Sequence, residues 1–394
     1  MSKDTVKAAA MAAKSSAAMA ALADGQLSLT EAAAITEFED TPGALEWLLP
    51  AAGTRRFDHT VAQLRQERAS ADAEAQAAQA FRERGVTVLD QRPRAWDEAC
   101  IGLRHLTTPD GHTADERAVT EPAHWAVLLF EDTVLQDSQT GELVDDDAVD
   151  WDTRDRPEAT PAEGLRHART VTDVTVFVPE YFCLDHRAAA LTPDSRFIRY
   201  AGMNDTDSAA ADPDPQDARD NSAAENAEAA TSERRKVLAL SRLGEATLRV
   251  RREFTTKLLA RKTPPKGAAR FVADCLARDS YLLTNHSAPS TTAALLGVDG
   301  PDAVAALVTQ LPANGEGRAQ VLTLALVLGA LEARTSKDAW RNATPSWAHH
   351  VSGAEYVRWL ADNGYTLAAV EEIVTGATTA DEVYDNYVAA AATR

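Results

Sequence analysis

The spacing of hydrophobic positions predicts helices in the first part of the chain. Residues 5–23 contain almost no helix-breaking residue. Ser28 or Thr30 is placed to cap a second, short helix, because a hydroxyl at this position accepts a hydrogen bond from the first helical turn. A long helix rich in Ala, Glu and Gln is expected over residues 61–84. Residues 1–84 are therefore predicted to form a helical segment.

The pattern changes after this segment to short runs of β-branched and aromatic residues. Such runs occur at residues 86–89, 125–130 and 133–136, and each predicts a strand. Residues 171–182 (VTDVTVFVPEYF) give the strongest strand signal in the chain. Residues 85–190 are therefore predicted to form a small α+β domain.

A third change of pattern separates this domain from the C-terminal part. Residues 204–232 contain no large apolar side chain, so they bury too little surface to offset the entropy lost on ordering. We therefore expect an acidic flexible linker over residues 191–232. From residue 233 onward apolar residues again follow a helical period, which predicts an all-α domain over residues 233–394. The predicted fold class is mainly α.

The composition limits the class of protein. The chain has 394 residues, of which 45% are hydrophobic and 25% charged, so two or three globular domains are expected. No apolar run approaches the roughly 20 residues that span a bilayer, and the N-terminus lacks the pattern of a signal peptide. The three cysteines are too far apart in sequence to indicate a disulfide framework. These features predict a soluble, cytoplasmic protein with no membrane partner.

The charge is strongly segregated along the chain. The formal net charge is −20, which argues against wrapping by nucleic acid over the whole surface. Residues 131–163 carry twelve acidic and two basic side chains, whereas residues 234–270 carry twelve basic and two acidic ones. This distribution leaves a local basic surface available for an acidic partner.

The first residues carry a motif that resembles a known family. Ser2-x-x-Thr5-Val6 opens one helix, Asp24-Gly25 makes a turn, and Leu27-Ser28-x-x-x-Ala32-x-x-Ile35 opens the next helix. This order resembles the helix-turn-helix region of ParB-type partitioning proteins. The following GTRRFDHTVAQLRQERA and GVTVLDQRP are similar to the long actinobacterial version of that family. The resemblance implies a partial helix-turn-helix and a role in DNA partition or chromosome segregation.

The resemblance leaves out one part of the family's pattern. Family members carry an N-terminal nucleotide-binding clamp domain, and this sequence begins at the expected recognition helix. Binding of CTP is therefore not carried over, and no cofactor is predicted. In a complete helix-turn-helix the start of the second helix contacts bases, which makes Lys3, Thr5 and Lys7 candidate DNA-binding residues. The alternative is a terminal helix with exposed lysines.

The second DNA-binding candidate is a basic stripe on a predicted helix. Arg235, Arg242 and Arg249 are seven residues apart, and Arg252 is three residues further on, so all four share one side of the helix. Five further basic residues are expected to extend this surface through the Pro264-Pro265 turn. They are Arg251, Lys257, Arg261, Lys262 and Lys266. Cations on one face are suited to phosphate contacts, and the alternative is pairing with the protein's own acidic segment or with a protein partner.

The sequence supports a metal site or an enzyme active site less strongly than it supports a DNA-binding surface. Cys183-x-x-His186 together with Glu121 and His124 supplies the four ligands of a tetrahedral zinc site. A buried Cys and an exposed His explain the same spacing, and no metal ligand is assigned. The chain has no phosphate-binding glycine loop, His-Glu-x-x-His motif or nucleophile elbow, so no catalytic residue is predicted. The predicted function is a non-catalytic, DNA-associated partition protein; the alternative is a protein–protein adaptor of a mobile element that self-associates or binds a partner.

Overall fold

The computed structural model describes residues 27–94, 96–153, 158–201, 215–342 and 350–392, together with seven residues before Leu27. For residues 173, 215–231, 342, 391 and 392 only the backbone is described. Contacts divide the chain into two compact units. We call Met1–Glu67 with Arg234–Arg394 the helical unit, and Arg68–Glu233 the sheet unit. The N-terminal helices therefore share a unit with the C-terminal residues, whereas the sequence suggested separate segments.

The prediction of a mainly α fold is wrong, because the described residues form a mixed α/β structure. Twelve α-helices and nine strands are described, and one sheet combines parallel and antiparallel strand pairs. The sequence-based prediction underestimated the strand content because six of the nine described strands are only two residues long, which leaves little periodicity to detect.

The first helices with described bounds in the helical unit are the short α1 (Leu29–Thr36) and α2 (Ala44–Ala51). Ser28 caps α1 as the sequence predicts: its hydroxyl accepts from the backbone N–H of Glu31, whose carboxylate accepts from the N–H of Ser28. Helix α3 (Phe57–Glu83) follows. The side chains of Ile35, Phe38 and Leu48 are at most 1% exposed and pack with the start of α3.

Eight more helices follow, and the first of them, α5 (Pro215–Leu259), enters the helical unit at Arg234. The others are α6 (Ala268–Arg278), α7 (Ala288–Leu296), α8 (Pro301–Thr309), α9 (Glu316–Arg334), α10 (Gly353–Asp362), α11 (Ala369–Thr375) and α12 (Ala380–Ala392). Helix α9 is the centre of this core, since Leu324, Leu328 and Leu331 are at most 1% exposed. Gly329 lets α9 approach α7 closely, because a Cβ atom at this position would lie 2.0 Å from Thr292 Oγ1.

The sheet unit is built around two 13-residue antiparallel strands, β4 (Trp125–Asp137) and β8 (Val171–Cys183). The strong strand signal of residues 171–182 is thus confirmed. The five-stranded sheet has the order β1–β4–β8–β2, with β1 (Thr87–Leu89) parallel to β4, β2 (Ile101–Gly102) antiparallel to β8, and β5 (Leu143–Val144) paired with the end of β4.

Two smaller sheets and one helix complete the sheet unit. Strand β3 (Leu106–Thr107) pairs with β9 (Thr192–Pro193), and β6 (Val149–Asp150) pairs with β7 (Arg166–His167). Helix α4 (Ser195–Tyr200) follows β9 directly, with Asp194 as its N-cap. Trp125, Ile101 and Leu106 are fully buried in the core of this unit.

The segment predicted as a linker contains regular structure where it is described. Strand β9 and α4 occupy residues 192–200, and α5 begins at Pro215. Residues 202–214 lie outside the described part of the chain. Among the helices that are described, none alone has the length and apolar content needed to cross a membrane, although α7 and α8 pass such a test together as a pair bent by 61°.

Candidate nucleic-acid interface

The two predicted DNA-binding surfaces have different outcomes. Lys3, Thr5 and Lys7 lie outside the described residues, so the structure gives no information on the proposed recognition helix. The basic stripe lies on α5 and is described in full. It divides into side chains that contact other helices and side chains that face solvent.

The predicted stripe of four arginines is largely engaged by other side chains. Arg235 is exposed, whereas Arg242 lines a shallow groove beside Gln63 and Gln66 of α3. Arg249 Nη2 donates to Gln66 Oε1 over 2.8 Å. The seven-residue spacing does place Arg242 and Arg249 beside α3, although the Arg249 side chain remains exposed.

Arg252 and Arg251 are held by acidic residues of the C-terminal helices. Arg252 Nε donates to Glu332 Oε1 over 3.1 Å, with the Arg252 side chain 47% exposed. The expectation that Arg251 extends the positive surface is wrong, because its side chain is 3% exposed and pairs with Glu332 and Glu371. A guanidinium whose donors are taken up by two carboxylates has little left for a phosphate.

Further exposed basic side chains lie along the chain after Arg252, around the turn between α5 and α6. We call the residues 257–270 that carry them the basic turn. Its five cations are Lys257, Arg261, Lys262, Lys266 and Arg270. All five are exposed, and residues 254–270 include no acidic residue. None of the five forms an ion pair with an acidic side chain that the structure describes.

The basic turn is fastened to the start of α9. Arg318 Nη1 donates to the backbone carbonyl oxygens of Leu259 and Arg261, the latter over 3.2 Å. The last carbonyl oxygens of a helix have no hydrogen-bond donor within the helix, and Arg318 supplies one from outside to Leu259 at the end of α5. Gly317 allows the close approach, since a Cβ atom there would lie 3.0 Å from Thr263 Cγ2 and 3.2 Å from the Lys262 oxygen. The backbone of the turn is therefore fixed while its cationic side chains extend into solvent.

The sequence indicated part of this surface. The sequence alone predicts Arg261 and Lys262 as DNA-binding residues and a turn at Pro264-Pro265. The contribution of Arg318 was missed, because it lies 57 residues from its acceptor at Arg261 and has no local motif. The engagement of Arg249 was missed for the same reason, since its partner Gln66 is 183 residues away.

The residues considered for zinc occupy the end of the long hairpin of the sheet unit. Cys183 is 1% exposed and lies opposite Trp125 in the register of β4 and β8. The backbone N–H of Leu184 donates to the carbonyl oxygen of His124 over 2.8 Å. Burial raises the pKa of the Cys183 thiol, which disfavours the thiolate that zinc requires. Within the described ranges no three His, Cys, Asp or Glu side chains are grouped closely enough to hold a metal ion.

Comparisons with known proteins identify no relative. No protein-family model matches the chain, and neither a curated protein nor a solved structure is significantly similar to it. The resemblance to ParB-type proteins thus rests on the N-terminal sequence motifs alone. The physical properties of the basic turn carry the functional argument.

Proposed function

We propose that this protein is a non-catalytic, DNA-associated protein that holds duplex DNA by its phosphates at the basic turn. The observation that supports this most strongly is the set of five exposed cations over residues 257–270, which pair with no described acidic side chain and have no acidic residue among them. Lys and Arg on a common surface release condensed counterions when they neutralise phosphates, which favours binding.

The chemistry of the turn favours phosphate contacts over recognition of base sequence. Base readout usually requires a helix or ribbon inserted into the major groove with side chains aimed at base edges. The basic turn is a connection between two helices, with Pro264 and Pro265 at its centre. We therefore expect affinity that depends little on DNA sequence and strongly on salt concentration.

The net charge of −20 is compatible with this proposal, because electrostatic interactions are local. At physiological ionic strength the Debye length is about 8 Å, so distant acidic residues are largely screened from a phosphate at the turn. The same screening limits the affinity at high salt. As part of the proposal, the ParB-type resemblance of residues 2–35 supports a role in DNA partition, and we include a cytoplasmic location in the same proposal.

The test compares two double variants that each remove two positive charges. Affinity falls as salt rises, so the slope of log affinity against log salt is negative. Arg261→Gln with Lys262→Gln should make this slope shallower by about 1.8, since each phosphate contact contributes roughly 0.9. Arg235→Gln with Arg249→Gln is the matched control from the original stripe, and its slope should stay close to that of the parent. Both are measured by anisotropy of a labelled duplex over a range of salt.

Two results would contradict the proposal. A larger effect of the control pair would place the phosphates on α5 instead of the turn. No binding of the parent to duplex at low salt would favour the alternative, a protein–protein adaptor of a mobile element.

A further inference from the structure

A cluster of aromatic rings lies at the edge of the sheet unit. Trp96 stacks on Tyr200, with ring centroids 4.9 Å apart and planes 28° from parallel. His105 and Phe197 contact the same indole at centroid distances of 5.3 and 5.8 Å. Phe197 is 2% exposed and anchors the cluster in the core, whereas Tyr200 is 40% exposed. Trp96 covers one face of the Tyr200 ring, so the exposed surface of that ring lies away from Trp96.

The backbone holds Trp96 in an unusual conformation. Its φ angle is +64°, in the left-handed region that a bulky side chain rarely adopts. Such conformations persist only where the surrounding structure imposes them, and they are concentrated at binding and active sites. Here the effect is to direct the indole onto Tyr200.

Arginine side chains border the cluster. The guanidinium carbon of Arg196 lies 5.7 Å from the centroid of the Trp96 ring, within the range of a cation–π contact. Arg104 Nε donates to His105 Nε2 over 3.2 Å, so the proton of the neutral imidazole is on Nδ1, which lies 3.3 Å from Asp194 Oδ2. Burial and the neighbouring Arg104 lower the pKa of His105, so its ring is neutral at neutral pH.

We infer that this cluster binds single-stranded nucleic acid, with one base stacked on the exposed side of Tyr200 and the adjoining phosphate beside Arg104. An exposed aromatic ring next to cations is the combination that single-strand binding requires, because every base offers a π-face and every nucleotide a negative charge. A duplex does not fit this arrangement, since its bases already stack on one another. The site is separate from the basic turn, and the inference does not rest on the proposed function.

The experiment uses the full chain and a 15-nucleotide oligothymidylate. We expect binding to quench tryptophan fluorescence, and the response to disappear in Trp96→Phe. Tyr200→Ala should weaken binding by about tenfold, the usual effect of losing one stacked base. Tyr200→Phe should restore the affinity, because it keeps the ring. Tyr281→Ala is the matched control, since Tyr281 is 69% exposed and belongs to the helical unit.

Two further probes separate stacking from charge. An abasic oligonucleotide of the same length keeps the phosphates and should bind Tyr200→Ala and the parent equally. Arg104→Gln should reduce the salt slope for the oligothymidylate by roughly 0.7. Equal effects of Tyr200→Ala and Tyr281→Ala, or equal affinity of the parent for the abasic and base-containing strands, would overturn the inference. The basic turn is tested with duplex DNA and the aromatic cluster with single-stranded DNA. A negative result at one site therefore leaves the proposal for the other site untouched.

Discussion

Arg251 Nε donates to Glu332 Oε2 over 2.8 Å, and the two side chains are 3% and 0% exposed. Arg251 Nη1 also donates to Glu371 Oε1 over 2.9 Å, and the Tyr356 hydroxyl donates to Glu332 Oε2 over 2.9 Å. Burial alone would lower the pKa of the Arg251 guanidinium, but the two carboxylates outweigh it and raise that pKa well above its ordinary value. The guanidinium therefore stays charged inside the core.

Removing one partner of this buried network should be costly. Glu332→Ala leaves Arg251 with fewer compensating charges, and we expect the free energy of unfolding to fall by about 3–5 kcal/mol. The matched control is Asp274→Ala, which breaks the Arg278–Asp274 pair, whose side chains are 39% and 52% exposed. This surface pair should contribute less than about 1 kcal/mol. Urea denaturation measures both, and similar losses in the two variants would contradict the assignment of a buried charge network.

A second buried carboxylate should make stability sensitive to acid. Burial of Asp279 would by itself raise its pKa, but hydrogen bonding and ion pairing with Arg334 hold that pKa below its ordinary value. A depressed folded-state pKa stabilises the protein above the unfolded-state value of about 3.9, and this contribution is lost as the pH falls through the folded-state pKa. The parent should thus have a higher free energy of unfolding than Asp279→Asn at neutral pH, and this difference should become smaller below about pH 4.

Urea denaturation at several pH values checks this acid sensitivity. The control is Asp362→Asn, an exposed carboxylate at the end of α10. Its stability difference from the parent should stay nearly constant with pH. A difference for Asp279→Asn that does not change between pH 7 and pH 3 would show that the ion pair with Arg334 does not stabilise the fold.

The contact between α7 and α9 leaves no room for a side chain at Gly329. A Cβ atom there would lie 2.0 Å from Thr292 Oγ1 and 2.9 Å from Thr292 Cα. We expect Gly329→Ala to destabilise the protein by about 1–3 kcal/mol through overpacking. Adding Thr292→Ala removes the hydroxyl and should recover part of the lost free energy of unfolding. The Cα atom of residue 292 remains close to the new Cβ atom, so full recovery would contradict this packing, and so would no recovery. Thermal and urea denaturation of the single and double variants measure this.

Arg318 should affect DNA binding through the backbone of the basic turn. Arg318→Gln removes the guanidinium donor to the carbonyl oxygens of Leu259 and Arg261. The backbone of the turn is then less fixed in the free protein, and ordering it on binding costs free energy, so the affinity for DNA should fall. The salt slope should change less than in the Arg261→Gln, Lys262→Gln variant, because those cations remain. Duplex anisotropy at several salt concentrations measures both quantities. A fall in slope of about 1.8, as expected for two phosphate contacts, would instead assign Arg318 a direct role.

Local sequence signals predicted individual elements better than their arrangement. The Ser28 cap and the strand at residues 171–182 were evident because their signals lie within a few adjacent residues. The parallel pairing of β1 with β4 was not, since it depends on contacts across the sheet. This missing information accounts for the wrong fold class.

The candidate sites were harder to predict than the elements. Helical spacing places Arg249, Arg251 and Arg252 close together on α5, yet one pairs with Gln66, one is buried and one is half-exposed beside Glu332. Their roles are decided by residues about 80 to 180 positions away. The Trp96–Tyr200 cluster joins two segments that each combine arginine with aromatic residues, RPRAW and RFIRY. That composition was the available signal for it.

The hydrogen bond from His59 Nε2 to the carbonyl oxygen of Thr366 joins two residues that are 307 positions apart. During translation, the helical unit therefore cannot complete its packing until Thr366 has left the ribosome. At about 5–20 residues per second, the first helices wait roughly 15–60 s for their partners. The sheet unit, whose residues are all made within that interval, has time to fold first. Nascent α1–α3, with apolar side chains such as Phe38 and Leu48, are then the segment on which chaperones have the longest opportunity to act.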